Sequence, residues 1–240
     1  MEQENVKKVP WGILESLAVF LIFLLLSYFA PEIKNLADFI LGKVSFNLSL
    51  IEIFIIFSIF QFIIFVGYII LIVKGRYKVD LKIFFAKEYS PGEIIKYGLI
   101  SSAILFFITM AVSVIIFMMF PTQGEPQDII DIFGYAGTKW EMILVFIGAA
   151  VLAPISEELY FRGFLYKAFR NKFSQGIAIA AASVIFGALH FDLYRFVPFF
   201  TAGVILNHIY EKYENILIPI IAHSVWNGIM VLALFSTMGS

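Results

Sequence analysis

The chain has 240 residues, of which 61% are hydrophobic and 15% are charged, and its net charge is −1. A soluble domain has about 45–50% apolar and about 25% charged residues, so this chain has too little polar surface for a water-soluble particle, and we expect the lipid bilayer to be its solvent. The balanced charge argues against nucleic-acid binding, which needs a clustered basic face. The absence of cysteine excludes disulfides, thiolate catalysis and Cys-based zinc sites.

Apolar segments predict about seven membrane helices, because a span needs about 20 mostly apolar residues. The first run is longer than the apolar core of a signal peptide and no small-x-small cleavage site follows it, so we interpret it as a span. Gly and polar residues blur the later boundaries, which leaves seven or eight helices, and Pro154 and Pro219 are predicted to kink theirs. The segments are about Trp11–Phe29, Ile51–Val73, Tyr97–Phe120, Trp140–Phe169, Ser174–His190, Phe196–Tyr210 and Ile216–Phe235. The predicted fold is an all-α polytopic transmembrane helix bundle, a single membrane domain over 1–240 with its motif-bearing core at about 140–235.

The basic residues predict the orientation of this bundle. With the N-terminus inside, the inner connections carry twelve Lys and Arg and the outer ones carry four, namely Lys34, Lys43, Lys139 and Arg195. The positive-inside rule therefore predicts a multi-pass cell-membrane protein with a cytoplasmic N-terminus. The longest polar connection, 74–96, is either an amphipathic helix on the membrane surface or an ordinary basic loop.

Ionisable residues inside apolar helices are costly and usually face a partner or a cavity. The fourth segment contains Glu157, Glu158 and Arg162. Glu158 and Arg162 are four residues apart and can form an ion pair on one helix face, whereas Glu157 lies about 100° away around the helix. This asymmetry suggests that Glu158 and Arg162 form a structural pair and that Glu157 is the functional carboxylate. The alternative is that all three are solvated at a helix end. Gln61, in the second segment, could serve packing through an interhelical hydrogen bond.

Two further helices carry polar pairs at helical spacing. Phe186 and His190 share one face of the fifth segment, and His223 and Asn227 share one face of the seventh. Either pair alone could be a structural helix contact. The third histidine, His208, lies near a charged connection and is predicted to be a surface residue.

Together these faces could build a site for peptide hydrolysis. A carboxylate and an imidazole near one water can activate it, and an imidazole N–H with an Asn amide can stabilise the oxyanion. A zinc site with Glu157, His190 and His223 as ligands is conceivable from the residue types, but the HExxH spacing is missing. We therefore predict a catalytic water and no cofactor, with zinc left open.

Three motifs resemble those of one membrane-protein family. EELYFR (Glu157 to Arg162), FGALH (ending at His190) and HSVWN (His223 to Asn227) match the EExxxR, FxxxH and HxxxN motifs of the CAAX-protease and bacteriocin-processing family, also called CPBP or Abi. The short connections look more like its prokaryotic branch. The resemblance implies a glutamate-dependent intramembrane endopeptidase acting on a protein or peptide, including membrane-associated ones. It also implies that Glu157 and His190 activate water and that His223 and Asn227 form the oxyanion hole. Glu158 and Arg162 would then have a structural role that keeps the site residues in position.

Two other functions fit parts of this pattern. A non-catalytic membrane scaffold or a bacteriocin-immunity-type protein could keep the motifs for structure alone. A small-solute transporter could use the buried carboxylates, but no inverted repeat with paired broken segments is visible.

Overall fold

The computed structural model describes residues 8–28, 49–121, 136–190 and 192–238. Within these ranges there are seven main helices and no β-strand, which confirms the predicted all-α bundle. The helices are α1 (Ile13–Tyr28), α2 (Leu50–Arg76), α3 (Pro91–Met119), α4 (Lys139–Arg170), α5 (Gln175–Ala188), α6 (Phe196–Tyr213) and α7 (Leu217–Met238). Lys34 and Lys43, which the orientation argument uses, lie outside the described residues, as do Lys7 and the acidic residues Glu125, Asp128 and Asp131 of the connection after α3.

Local sequence determines where three of these helices begin. Each starts with a Ser or Thr whose hydroxyl accepts a backbone N–H from a Glu three residues later, while that Glu accepts the N–H of the cap residue. This reciprocal arrangement satisfies donors that a helix N-terminus otherwise leaves unpaired. The pairs are Ser49 with Glu52, Ser90 with Glu93, and Thr138 with Glu141.

Four helices are long and apolar enough to cross a membrane: α2, α3, α4 and the Leu217–Ser236 part of α7. Ile13–Ile22 and α5 are apolar but shorter. Apolar side chains on the outside of the bundle are exposed, such as Phe107 (70%) and Met118 (73%) on α3. A lipid environment would cover these side chains without cost.

Helix α4 is the central helix, and its hydrogen-bond pattern changes along its length. Two π-helical stretches, Gly148–Leu152 and Leu159–Tyr166, flank the α-helical Ala153–Glu158. Pro154 stands where the first π-helical stretch meets this middle part, in the interior of α4, where it has no N–H to donate to the preceding turn. Every residue from Tyr160 to Tyr166 is buried. The π-helical stretches, which often mark functional sites, thus bracket the two glutamates.

The N-terminal segment and the α2–α3, α4–α5 and α6–α7 connections meet at one end of the bundle. Asn171, after α4, both accepts from the Val9 N–H (3.1 Å) and donates to the Val9 carbonyl (2.7 Å). Lys167 Nζ donates to the Ile83 carbonyl at 2.6 Å, and the Ile216 N–H donates to the Phe84 carbonyl at 3.0 Å. The N-terminal segment and every second connection thus lie at the same end of the bundle, as expected for a chain whose seven helices alternate in direction.

Of the two structures predicted for the α2–α3 connection, the loop is the one observed. It forms one short 3₁₀ turn, Leu81–Phe84, rather than a surface helix. Phe84 is 2% exposed, stands beside Trp11 and packs over Gly163, where an added Cβ would lie 3.1 Å from the Phe84 ring. The connection therefore closes this end of the core, because its aromatic residue points inward and not along a membrane surface.

Candidate active site

Glu158 is buried between a cation and an imidazole. Arg162 Nη1 donates to Glu158 Oε1 at 2.7 Å, and both side chains are fully buried. His223 Nδ1, from α7, lies 2.8 Å from the same oxygen. The alternative that these charges are solvated at a helix end is therefore wrong for Glu158 and Arg162. The sequence predicted the pairing within α4, but not the link to His223.

Arg162 has further contacts that fix its guanidinium. Its Nη2 donates weakly to the Gly203 carbonyl of α6 at 3.4 Å, and the guanidinium lies 4.7 Å from the centre of the Phe186 ring. Gly203 also lets α5 and α6 pack closely, since an added Cβ there would lie only 3.0 Å from Ser183 Cα. Arg162 thus joins α4, α5 and α6 around one carboxylate.

Glu157 has a different environment from its neighbour. Its side chain is 19% exposed, and its Oε2 lies 4.0 Å from His223 Nε2. It lines a cavity of about 150 Å³ to which His190 also contributes. One carboxylate is therefore engaged by two partners, while the adjacent one faces open space.

His190 is oriented by Phe186 and Phe199. Its Nδ1 lies 2.9 Å from the Phe186 carbonyl, and because a carbonyl only accepts, the proton is assigned to Nδ1. The ring stacks on Phe199 with centroids 3.7 Å apart. The lone pair of neutral His190 is then on Nε2. Phe186 also stands edge-on to His223, with ring centroids 6.0 Å apart.

His223 and Asn227 lie on one face of α7. The Asn227 carboxamide donates to the Ala149 carbonyl at 2.9 Å, and Ala149 belongs to the π-helical stretch Gly148–Leu152. This bond uses one of the two amide N–H groups. His223 reaches both glutamates, but neither His223 nor Asn227 lines the cavity of Glu157 and His190.

The sequence analysis did not predict the surroundings of two polar residues in the helices. Gln61 of α2 lines the cavity beside Glu157 and His190, although the sequence suggested a packing role for it. Asn207 of α6 is 1% exposed and donates to Ser183 Oγ at 3.1 Å. A polar residue in an apolar segment was the available signal for both. His208, by contrast, is exposed as predicted.

In the described part of the chain, no three His, Asp or Glu side chains are grouped so that they could hold a metal ion. Glu157 Oε2 and His223 Nε2 lie 4.0 Å apart, and Glu158 forms an ion pair with Arg162.

Comparison with known proteins points to one family. The model of the type II CAAX prenyl endopeptidase Rce1-like family matches residues 139–229. The family resemblance of the motifs is confirmed. The match runs from α4 into α7 and contains all three motifs, whereas α1, α2 and α3 lie outside it.

Two bacterial membrane peptidases resemble the chain. The putative membrane peptidase YdiL of Bacillus subtilis is 32% identical over 89 residues, which are 37% of this chain and 36% of YdiL. The membrane-embedded CAAX protease MroQ of Staphylococcus aureus is 26% identical over 167 residues, 67% of this chain and 64% of MroQ. The matches thus span about a third of one relative and under two thirds of the other. No solved structure matches the chain. With its four long apolar helices, the chain is a multi-pass membrane protein.

Proposed function

We propose that the chain is an intramembrane endopeptidase that hydrolyses peptide bonds with a water activated by Glu157 and His190. The observation that carries this proposal is that both side chains line one cavity, while the adjacent Glu158 is already bound by Arg162 and His223. The peptidase names of the relatives support the same reaction class.

In this mechanism a water lies between the Glu157 carboxylate and His190 Nε2. It gives up a proton to Glu157 as its oxygen attacks the carbonyl carbon of the substrate. The proton then passes to the leaving amine as the C–N bond breaks, and this leaves a new carboxylic acid and a new amine. His190 orients the water, since the Phe186 carbonyl already holds its other nitrogen.

The oxyanion formed in this step needs donors in a site that excludes water. We assign this role to His223 and to the second N–H of Asn227. Glu158 Oε1, 2.8 Å from His223 Nδ1, orients the ring so that Nε2 lies on the side of Glu157, 4.0 Å from its Oε2. Arg162 fixes Glu158, so it acts through Glu158 and His223 and not on the substrate.

Cleavage of a transmembrane reporter by the purified protein tests this proposal. We expect Glu157→Gln and His190→Ala to lower the rate at least about hundredfold, the usual contribution of general acid–base groups. Glu88→Gln removes an exposed carboxylate. His208→Ala removes an exposed imidazole that makes the same 2.9 Å contact with a carbonyl one turn earlier. Both controls should cleave at the wild-type rate.

Several outcomes separate the alternatives. Equal cleavage by wild type, Glu157→Gln and His190→Ala would contradict the proposed mechanism, and a cellular phenotype that survives Glu157→Gln would favour a non-catalytic scaffold.

Because we propose that water is activated without a metal, dialysis against EDTA or 1,10-phenanthroline should leave the rate unchanged. Loss of activity that added zinc restores would instead indicate a metal site.

A further inference from the structure

The cavity beside Glu157 contains one polar side chain that the proposed chemistry does not use. Gln61 projects from α2, in a segment otherwise composed mainly of Ile and Phe, and lines the cavity together with Glu157 and His190. Within the described part of the chain no hydrogen bond is recorded for its carboxamide. A polar group inside an apolar span is costly unless it finds a partner, so Gln61 is available to a molecule that enters the cavity.

The other walls of the cavity are apolar. They come from four helices and consist of Phe20, Leu24, Phe65, Phe161, Phe186 and Leu189. The cavity has a volume of about 150 Å³, and an apolar cavity of about this size is large enough for benzene. Its dimensions therefore suit one side chain of the size of Leu or Phe. Six of the nine lining residues are apolar, so burial there favours an apolar side chain.

The residues that line the cavity come partly from inside and partly from outside the segment that matches the family model. Glu157, Phe161, Phe186, Leu189 and His190 belong to the segment that matches the family model, residues 139–229. Phe20 and Leu24 of α1, with Gln61 and Phe65 of α2, lie outside it. The helices outside the matched segment thus complete a cavity whose reactive groups come from within it.

We propose that this cavity receives one apolar side chain of the substrate next to the cleaved bond, and that Gln61 hydrogen-bonds a backbone amide of the substrate there. A carboxamide offers both a donor and an acceptor, which matches the N–H and C=O of a peptide. This inference rests on the proposed function, because it takes Glu157 as the centre of the reaction. It assigns selectivity to α1 and α2 and chemistry to α4, α5 and α7.

Cleavage sites mapped by mass spectrometry on a peptide library test the apolar wall. The wild type should prefer Leu, Ile, Phe or Met at one position beside the cleaved bond. Leu24→Trp narrows the cavity and should shift that preference toward Ala and Gly by at least about tenfold, a factor that a single methylene can contribute in an apolar pocket. Leu21→Trp makes the same change on the exposed side of α1 and should leave the preference unchanged.

A second variant tests the carboxamide. Gln61→Met keeps the length of the side chain and removes its hydrogen bonds. We expect kcat/KM to fall about three- to tenfold for all peptides, with the side-chain preference unchanged, because one neutral hydrogen bond is lost. A wild-type preference for charged residues, or an unaltered preference in Leu24→Trp, would overturn the proposed subsite.

Peptide binding separates failure of the subsite from failure of the protease. Glu157→Gln should bind fluorescent peptides that contain Leu more tightly than matched peptides that contain Asp, and Leu24→Trp in the same background should abolish the difference. If wild type cleaves nothing but this selectivity is found, the protease proposal fails and the binding cavity stands. If wild type cleaves and no such selectivity exists, the subsite is wrong and the protease stands.

Discussion

Two adjacent carboxylates in this chain have opposite environments. Glu158 is fully buried and bound by Arg162 at 2.7 Å and by His223 at 2.8 Å. Glu157 is 19% exposed and faces a cavity. The cause is geometric, since successive residues of a helix point about 100° apart. A helix that buries one of two neighbouring glutamates against α7 therefore turns the other toward α5.

The buried ion pair leads to a prediction about stability. Arg162→Ala should lower the free energy of unfolding by about 3–5 kcal/mol, because it leaves the Glu158 charge buried without its cation. Thermal unfolding in detergent measures this change. Arg195→Ala is the matched control: it breaks a 2.9 Å pair with Asp192 that is partly exposed and should cost about 0–1 kcal/mol. Equal shifts for the two variants would contradict the structural role of Arg162.

At the scale of helices, close contact between α3 and α7 positions the third motif. Gly98 of α3 faces Ile221 of α7, and an added Cβ would lie 2.5 Å from Ile221 Cγ2 and 2.7 Å from its Cβ. Ile221 is β-branched and cannot turn its own Cβ away. Since His223 is only two residues further along, the packing of α3 against α7 determines where this histidine stands.

We therefore expect Gly98→Ala to push α7 away from α3. The substitution should destabilise the protein by about 1–3 kcal/mol, as overpacking does, and should also reduce cleavage. Gly67→Ala is the control, because an added Cβ there meets nothing within 4 Å and the change favours the helix. Thermal unfolding and reporter cleavage should separate the two variants; similar behaviour would mean that α3 and α7 are not tightly coupled.

At the scale of the whole molecule, the two ends of the bundle differ in charge. The end where the N-terminal segment meets the α2–α3, α4–α5 and α6–α7 connections carries most of the described Lys and Arg residues, among them Lys74, Arg76, Lys82, Lys167 and Lys172. The bonds between these segments, such as those of Asn171 with Val9, keep them together. We propose, from the positive-inside rule, that this end is cytoplasmic.

The cysteine-free sequence makes this orientation testable. In intact cells a membrane-impermeant maleimide should label Gly137→Cys, which precedes α4 at the opposite end, and should label Lys172→Cys only after permeabilisation. Both positions are exposed, and the unsubstituted chain is the blank. The reverse pattern would show that the N-terminus is outside.

The sequence by itself determined the features that depend on residues close together in the chain. Apolar run length predicted the seven helices, capping pairs such as Ser90 and Glu93 explain where helices begin, and the i, i+4 spacing predicted the partner of Arg162 inside α4. The motifs indicated a resemblance to one family and selected Glu157, His190, His223 and Asn227 as candidates. Each of these inferences uses one helix at a time, which is why local chemistry is sufficient for it.

Only the tertiary structure decided which helix faces meet. The Glu158–His223 contact joins residues 65 positions apart, Gln61 lies in the cavity of Glu157 and not simply at a helix contact, and Phe84 enters the core from a basic connection. In a membrane bundle the lipid-facing side is as apolar as the packed side, so hydrophobic periodicity does not reveal which face is inside. Close packing and buried hydrogen bonds make that choice, and they exist only once the helices have come together.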